Sequence, residues 1–187
     1  MATAVQGAGG TVETVAPRES SGLPMPKKLE DALIDAWDAA DSVDWSSVAE
    51  ELGPFTVDTQ TPIGKWTALM VACGLPKVRQ EEIKMMVSDL DAGVDLQDDD
   101  GWTCVHWAAQ HGCADSLRAV LEGIKERSSG PEAAAEVTEH LVWVRDKDGK
   151  TAAEIAQSAG HEEALLKKFM DVLEGREEVR GDMAELD

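Results

Sequence analysis

Four side chains in one short stretch are of the types that bind metals or attack carbonyl carbons. They are Cys104, His106, His111 and Cys113, spaced C-x-H-x4-H-x-C. Thiolates and imidazoles are zinc ligands, and a structural zinc site needs four of them converging as a tetrahedron. If the segment is helical, His106 and His111 are five residues apart. At about 100° per residue they project roughly 140° from one another around the axis and converge poorly on one ion. The same residues could supply a cysteine nucleophile with a histidine base. That chemistry needs the two groups within about 3 Å and a third group to orient the base, and nothing in the sequence demands such a triad. The expectation is no metal, no cofactor and no catalytic residue; a Cys/His metal-binding or hydrolytic protein is the less favoured alternative.

The carboxylates offer a second candidate. Asp95, Asp98, Asp99 and Asp100 precede Gly101, and Asp146 and Asp148 precede Gly149. A calcium loop of the EF-hand kind needs D-x-D-x-D-G with a glutamate at position 12. Neither segment has that spacing, so both read as the tips of tight turns. There is no phosphate-binding Gly loop and no basic patch interleaved with aromatics. The formal net charge is −20, which repels nucleic-acid phosphates and anionic membrane surfaces. It suits instead a protein partner with a basic segment. No apolar run is long enough to insert in a bilayer, and the first residues lack the pattern of a secretory signal. Three cysteines, none in a CxxC pair, suggest a reduced intracellular setting, cytoplasmic first. An organelle transit peptide stays open, because the start is rich in Ala, Thr and Ser with Glu13 and Glu19 as its acids.

The elements that must position these groups are short amphipathic helices. Residues 1–25 are small, polar and Gly-rich without periodicity, and read as a flexible arm. From Pro26, Leu29, Leu33, Ile34 and Trp37 recur at helical spacing. A second short helix turns Val43 or Trp45, Val48, Ala49 and Leu52 inward and stops at Gly53-Pro54. The chain then repeats itself: GKWTALMVACG from Gly64, GWTCVHWAAQHG from Gly101 and GKTAAEIAQSAGH from Gly149. Thr67, Thr103 and Thr151 are separated by 36 and 48 residues. Self-similarity at such a period marks stacked helix pairs, none of which buries its apolar face alone. Each threonine can cap the helix that follows, and Gly112 and Gly160 can end it. Two insertions break the period, one near Gly74 to Ile83 and one after Leu121. In the second, Ser129-Gly130-Pro131-Glu132 reads as a helix start, which predicts an extra helix near 131–141. Residues 175–187 form an acidic tail.

The segment DDDGWTCVHWAAQHG resembles the ankyrin pattern D-x-x-G-x-T-P-L-H-x-A-A-x-x-G. Asp98, Gly101, Thr103, His106, Ala108, Ala109 and Gly112 match; Cys104 stands for Pro and Val105 for Leu. DKDGKTAAEIAQSAGH matches at Asp146, Gly149, Thr151, Ala156, Gly160 and His161, with Glu154 in place of the motif His. The copy at Gly64 carries one extra residue before Thr67. The resemblance implies an all-α solenoid of helix pairs with short β-hairpin fingers over residues 26–174. Its repeats would be about 27–61, 62–97, 98–145 with the insertion, and 146–174. It also implies that His106 makes structural hydrogen bonds, and that the chain is a non-enzymatic adaptor or regulator binding a partner in the concave groove. The groove positions that follow are Lys65 and Trp66; Asp99, Asp100, Trp102, Gln110 and His111; and Lys147, Asp148, Lys150, Ser158 and Ala159. The alternative is a fixed subunit of a large assembly.

The tryptophans divide. Trp37 and Trp45 sit on apolar faces and read as core, and Trp107 takes the motif's Leu position in the repeat packing. Trp102 falls at the variable position between Gly101 and Thr103, with Trp66 equivalent one repeat earlier. Exposed, they would be binding anchors; covered by a neighbouring finger, they would be structural.

Overall fold

The structure is a computed structural model and describes residues 24–39 and 45–175. The expected arm up to residue 23, the tail beyond Gly175, and Val43 lie outside the described residues.

Nine helices are present among these residues, eight of them in pairs: α1 (Lys27–Ala39) with α2 (Ser46–Glu51), α3 (Ala68–Gly74) with α4 (Gln80–Ser88), α5 (Cys104–His111) with α6 (Ala114–Arg127), and α8 (Ala152–Ser158) with α9 (Glu163–Leu173). Between the last two pairs comes α7 (Pro131–Trp143). Helices α3, α5 and α8 stack into an inner layer, and α4, α6 and α9 into an outer one. Small residues permit the inner stack: Ala68, Ala72, Ala108, Ala109, Ala152 and Ala156 are all buried. Larger side chains, among them Leu69, Met70, Ile83, Met86, Leu117, Ile124 and Phe169, fill the space between the layers. The outer layer is also close-packed. A Cβ on Gly123 would stand 2.7 Å from Cβ of Val87, so α6 meets α4 where α6 has no side chain.

The N-terminus of each inner helix is closed by one device built from three different residues. The backbone N–H of Thr67 donates to Met70 Sδ (3.4 Å), that of Thr103 to His106 Nδ1 (3.2 Å), and that of Thr151 to Glu154 Oε2 (2.8 Å). In α3 and α8 the threonine hydroxyl accepts the reciprocal N–H, completing a capping box. The replacement of the motif histidine by Glu154 therefore keeps its function.

Two expectations need correction. The expected β-hairpin fingers are tight turns, with no strand among the described residues. One backbone hydrogen bond spans the base of each, Thr61 N to Trp66 O (2.9 Å), Asp98 N to Trp102 O (3.0 Å) and Asp146 N to Lys150 O (2.9 Å), and the last two turns add Gly101 N to Asp98 O and Gly149 N to Asp146 O (both 3.0 Å) within the tip. That is too short a ladder for a strand pair. Gly64, Gly101 and Gly149 take the left-handed conformation at φ 83°, 81° and 77°, which a Cβ disfavours. In the first finger Lys65 is also left-handed, at φ 59°, and absorbs the extra residue. In α1 the buried stripe is Leu29, Leu33 and Ala36, while Ile34 is exposed. The helix turns Ala36, not Ile34, toward the core.

The insertion forms helix, as its start signal predicts. Helix α6 runs to Arg127, and α7 opens with Pro131 at its first turn and packs against α6 and α8. Trp45 and Val48 are buried, with Ala49 and Leu52 half-buried.

Candidate partner-binding face

The turn residues order the fingers into a continuous row. The Asp98 carboxylate is buried. Its Oδ1 accepts the N–H of Asp100 (2.9 Å) and Trp102 (2.8 Å), and its Oδ2 accepts Trp107 Nε1 (2.9 Å). Asp146 repeats the arrangement, with Oδ1 taking the N–H of Asp148 (2.9 Å) and Lys150 (2.8 Å). Its Oδ2 accepts Trp102 Nε1 from the preceding finger at 3.1 Å. These aspartates are internal acceptors holding turns, and their lone pairs are directed at N–H donors rather than at a cation.

Backbone hydrogen bonds run from finger to finger: Asp99 N to Gly64 O (2.9 Å) and Lys147 N to Asp100 O (3.0 Å). Gln60 donates to the carbonyls of Lys65 (2.8 Å) and Gln97 (2.9 Å), and Gln97 to those of Gly101 (2.6 Å) and Arg145 (3.3 Å). Such side-chain-to-backbone bonds fix each finger against the next. Sequence reasoning missed Gln60 and Gln97. The available signal was a glutamine directly before the turn residue in both fingers.

On this row, Lys65, Asp99, Asp100, Lys147, Asp148 and Lys150 are exposed. The Asp99 carboxylate receives Gly64 N (3.2 Å), and Lys147 reaches back to the carbonyl of Asp99. On the inner helices, His111 and Ser158 are exposed, and Gln110 and Ala159 half-buried. Trp102 is half-buried and tied to Asp146. Its indole N–H is spent on the next finger, while part of its ring stays open to solvent.

Trp66 has a different setting. Its ring centroid lies 5.3 Å from that of Trp107 and 6.4 Å from that of Trp37. Trp37 in turn meets Trp107 edge-on at 5.3 Å and His111 edge-on at 5.3 Å. The tilted and T-shaped geometries are those that aromatic quadrupoles prefer. Gly74, the last residue of α3, forms the floor: a Cβ there would lie 3.0 Å from Trp107, 3.1 Å from Trp37 and 3.2 Å from His111. One finger base and the inner helices of three pairs thus build a single aromatic cluster. Trp107 is its buried member, Trp37 and Trp66 are half-buried, and His111 is at the surface. Trp37, expected as core, packs against the core and is also half-open within this cluster.

The Cys/His group does not converge. His106 is fully buried, with Thr103 on Nδ1 and the carbonyl of Lys150 at 3.3 Å from Nε2. Burial lowers its pKa. His111 points instead into the aromatic cluster; desolvation first, then His161, lowers its pKa. Cys104 Sγ turns to the carbonyl of Val94 (3.5 Å), and Cys113 Sγ to that of His111 (3.7 Å). Burial and the neighbouring Asp115 push the Cys113 thiol up to about 11, so it is protonated at neutral pH and a poor nucleophile. Among the described residues, no three His, Cys, Asp or Glu side chains are grouped to hold a metal.

Residues 39–128 match the family model for ankyrin repeats, in three copies. Residues 39–128 therefore carry ankyrin repeats, which are protein-interaction modules and generally non-catalytic. It is similar to calmodulin-binding transcription activator 4 of Arabidopsis thaliana, with 32% identity over 131 residues; the match covers 64% of this chain and 12% of that protein. The chain thus corresponds to a small part of that relative's length. It is also similar to a chain in the crystal structure of the yeast ribosomal protein Rps3 in complex with its chaperone Yar1. That match has a TM-score of 0.52 and 22% identity, and covers 78% of this chain and 95% of that one. At this identity the likeness is one of fold.

Proposed function

We propose that the chain is a non-enzymatic adaptor or regulator. It takes a basic segment of a partner protein against the face shared by its fingers and inner helices. The observation that carries this reading is the cluster of Trp37, Trp66, Trp107 and His111, drawn from α1, one finger base and α5, beside the exposed carboxylates of the finger row. Half-buried aromatic rings offer contact area at low conformational cost, and indole faces attract guanidinium and ammonium groups. Asp99, Asp100 and Asp148 at the rim, on a chain of net charge −20, select basic partners and speed their approach. Lys65, Lys147 and Lys150 interrupt that acidic rim and give it a pattern of sign, which favours one docking register over others.

The test is affinity capture from the native source. The wild-type chain is compared with one carrying Asp100→Asn, Asp148→Asn and His111→Ala, and bound proteins are identified by mass spectrometry. The expected result is a partner held by the wild type and lost by the variant, with retention falling as salt rises. A partner retained equally by both places its binding elsewhere and overturns the proposal. Gel filtration of the native extract separates an adaptor from a fixed subunit, because only the latter is confined to a large, salt-resistant particle.

A further inference from the structure

Helix α7 has two faces. Ala134 and Leu141 are buried and Val137 half-buried, so this side closes on the solenoid. The other side carries Glu132, Glu136, Glu139 and Trp143 at spacings of four, three and four, all exposed. Such spacing lines them along one stripe of a helix. Trp143 is 66% exposed, unlike every other described tryptophan. Glu136, Glu139, His140, Trp143 and Val144 line an open concavity of about 320 Å³. Among the described residues, neither Glu136 nor Glu139 forms an ion pair. Arg145, two residues past the helix, is directed to the carbonyl of Gly149 and to Glu154 at 3.2 Å. Among the described residues, Glu136 and Glu139 thus have no lysine or arginine partner.

We infer that this stripe is a second docking site, separate from the finger row, for an arginine-bearing basic segment of a protein partner. A guanidinium stacked on the Trp143 indole gains the cation–π attraction that tryptophan provides best, while Glu139 and Glu136, about one and two turns earlier, accept charge-assisted hydrogen bonds from it or its neighbours. Charge complementarity selects this occupant. A second copy of the chain brings its own net charge of −20 to an acidic stripe. Residues 1–23 hold one Arg against two Glu, and residues 176–187 two Arg against five acids, so neither end is complementary. Nucleic acid and anionic membrane are repelled on the same ground.

The experiment uses the full chain with its tryptophan indoles labelled with 15N, titrated with the peptide Gly-Arg-Gly-Arg-Gly-Arg-Gly-Arg-Gly at near-physiological salt. The Trp143 indole signal is assigned through Trp143→Phe. The expected result is a saturable shift of that signal, with affinity at the site at least tenfold weaker in Trp143→Ala and in Glu136→Gln/Glu139→Gln. The Trp143→Phe variant is expected to retain part of the affinity, and the citrulline-substituted peptide to leave the signal in place. Because these residues are exposed, unchanged circular dichroism separates lost binding from lost fold, and the glutamine pair tests the site with the ring intact. The inference is overturned if the Trp143 signal stays fixed while other indoles move. It is equally overturned if Trp143→Ala leaves the affinity unchanged, or if sedimentation shows Trp143 holding a dimer of this chain.

Discussion

The indole N–H of Trp102 donates to Oδ2 of Asp146, 44 residues further along the chain, at 3.1 Å. The bond joins two fingers, and its acceptor is the same aspartate whose Oδ1 holds the next turn through Asp148 N and Lys150 N. The indole N–H at a position suited to partner contact is thus spent inside the molecule. Trp102→Phe keeps the ring and removes the donor. It is expected to lower the stability measured by urea denaturation by about 1 kcal/mol, the net value of one such bond, with little change in partner affinity. A variant of full stability and weakened binding would return Trp102 to the binding face.

Asp98 is bonded through both oxygens, so substitutions there separate by chemistry rather than by size. Asp98→Ala orphans the buried Nε1 of Trp107 and two turn N–H groups, at an expected cost of roughly 2–4 kcal/mol. Asp98→Asn is expected to be poorly tolerated as well, because if its oxygen serves the turn its amide N–H₂ faces the Trp107 N–H, donor against donor. Equal midpoints for wild type and Asp98→Asn would show that the Trp107 bond contributes nothing.

Gly123 lies in the middle of α6, where alanine ordinarily stabilises a helix by about 1 kcal/mol. Here the added methyl meets Val87 Cβ at 2.7 Å and Val87 Cγ1 at 2.9 Å. Gly123→Ala is therefore expected to destabilise, by about 1–3 kcal/mol as overpacking does. A raised melting temperature would mean that the outer helices are free to separate.

How much was legible beforehand follows from what each residue contacts. The repeat, the caps, the α7 helix and the role of Asp98 and Asp146 as turn residues rest on local chemistry: a threonine before an apolar run, a glycine at positive φ, a proline at a helix start. These read directly from sequence. The finger strands did not form because the turns are too short to pair, which a motif does not disclose. The fate of the tryptophans was not legible either. Trp66 and Trp102 occupy equivalent motif positions, yet Trp66 meets the rings of Trp37 and Trp107 while Trp102 donates to Asp146; Trp107 adds to its Asp98 bond ring contacts with Trp37 and Trp66 from other repeats. Contacts between repeats have no signature in the spacing of either.

Acid is expected to loosen the stack through His106. Burial holds its pKa below the usual 6.5, so the unfolded chain takes up a proton at a pH where the folded chain does not. Its contribution is complete above about 6.5 and is lost as pH falls toward the folded value. Protonation also removes the acceptor that Nδ1 presents to Thr103 N–H. His111, lowered by desolvation and His161, acts in the same direction. Denaturation midpoints followed from pH 7.5 down to pH 5 are expected to fall. His106→Gln should flatten the decline in part, and adding His111→Ala should flatten it further. A midpoint that is constant over this interval, or rises, contradicts this assignment.

The most direct measurement for the binding face is the affinity of the purified chain for a partner captured from the native source, taken at two salt concentrations with and without Asp100→Asn, Asp148→Asn and His111→Ala. The expected result is at least a tenfold loss of affinity in the triple variant, together with a weaker salt dependence and an unchanged denaturation midpoint. An affinity and a salt dependence unchanged from the wild type, in a folded variant, would contradict a basic segment held on the finger row and the Trp37–Trp66–Trp107–His111 cluster.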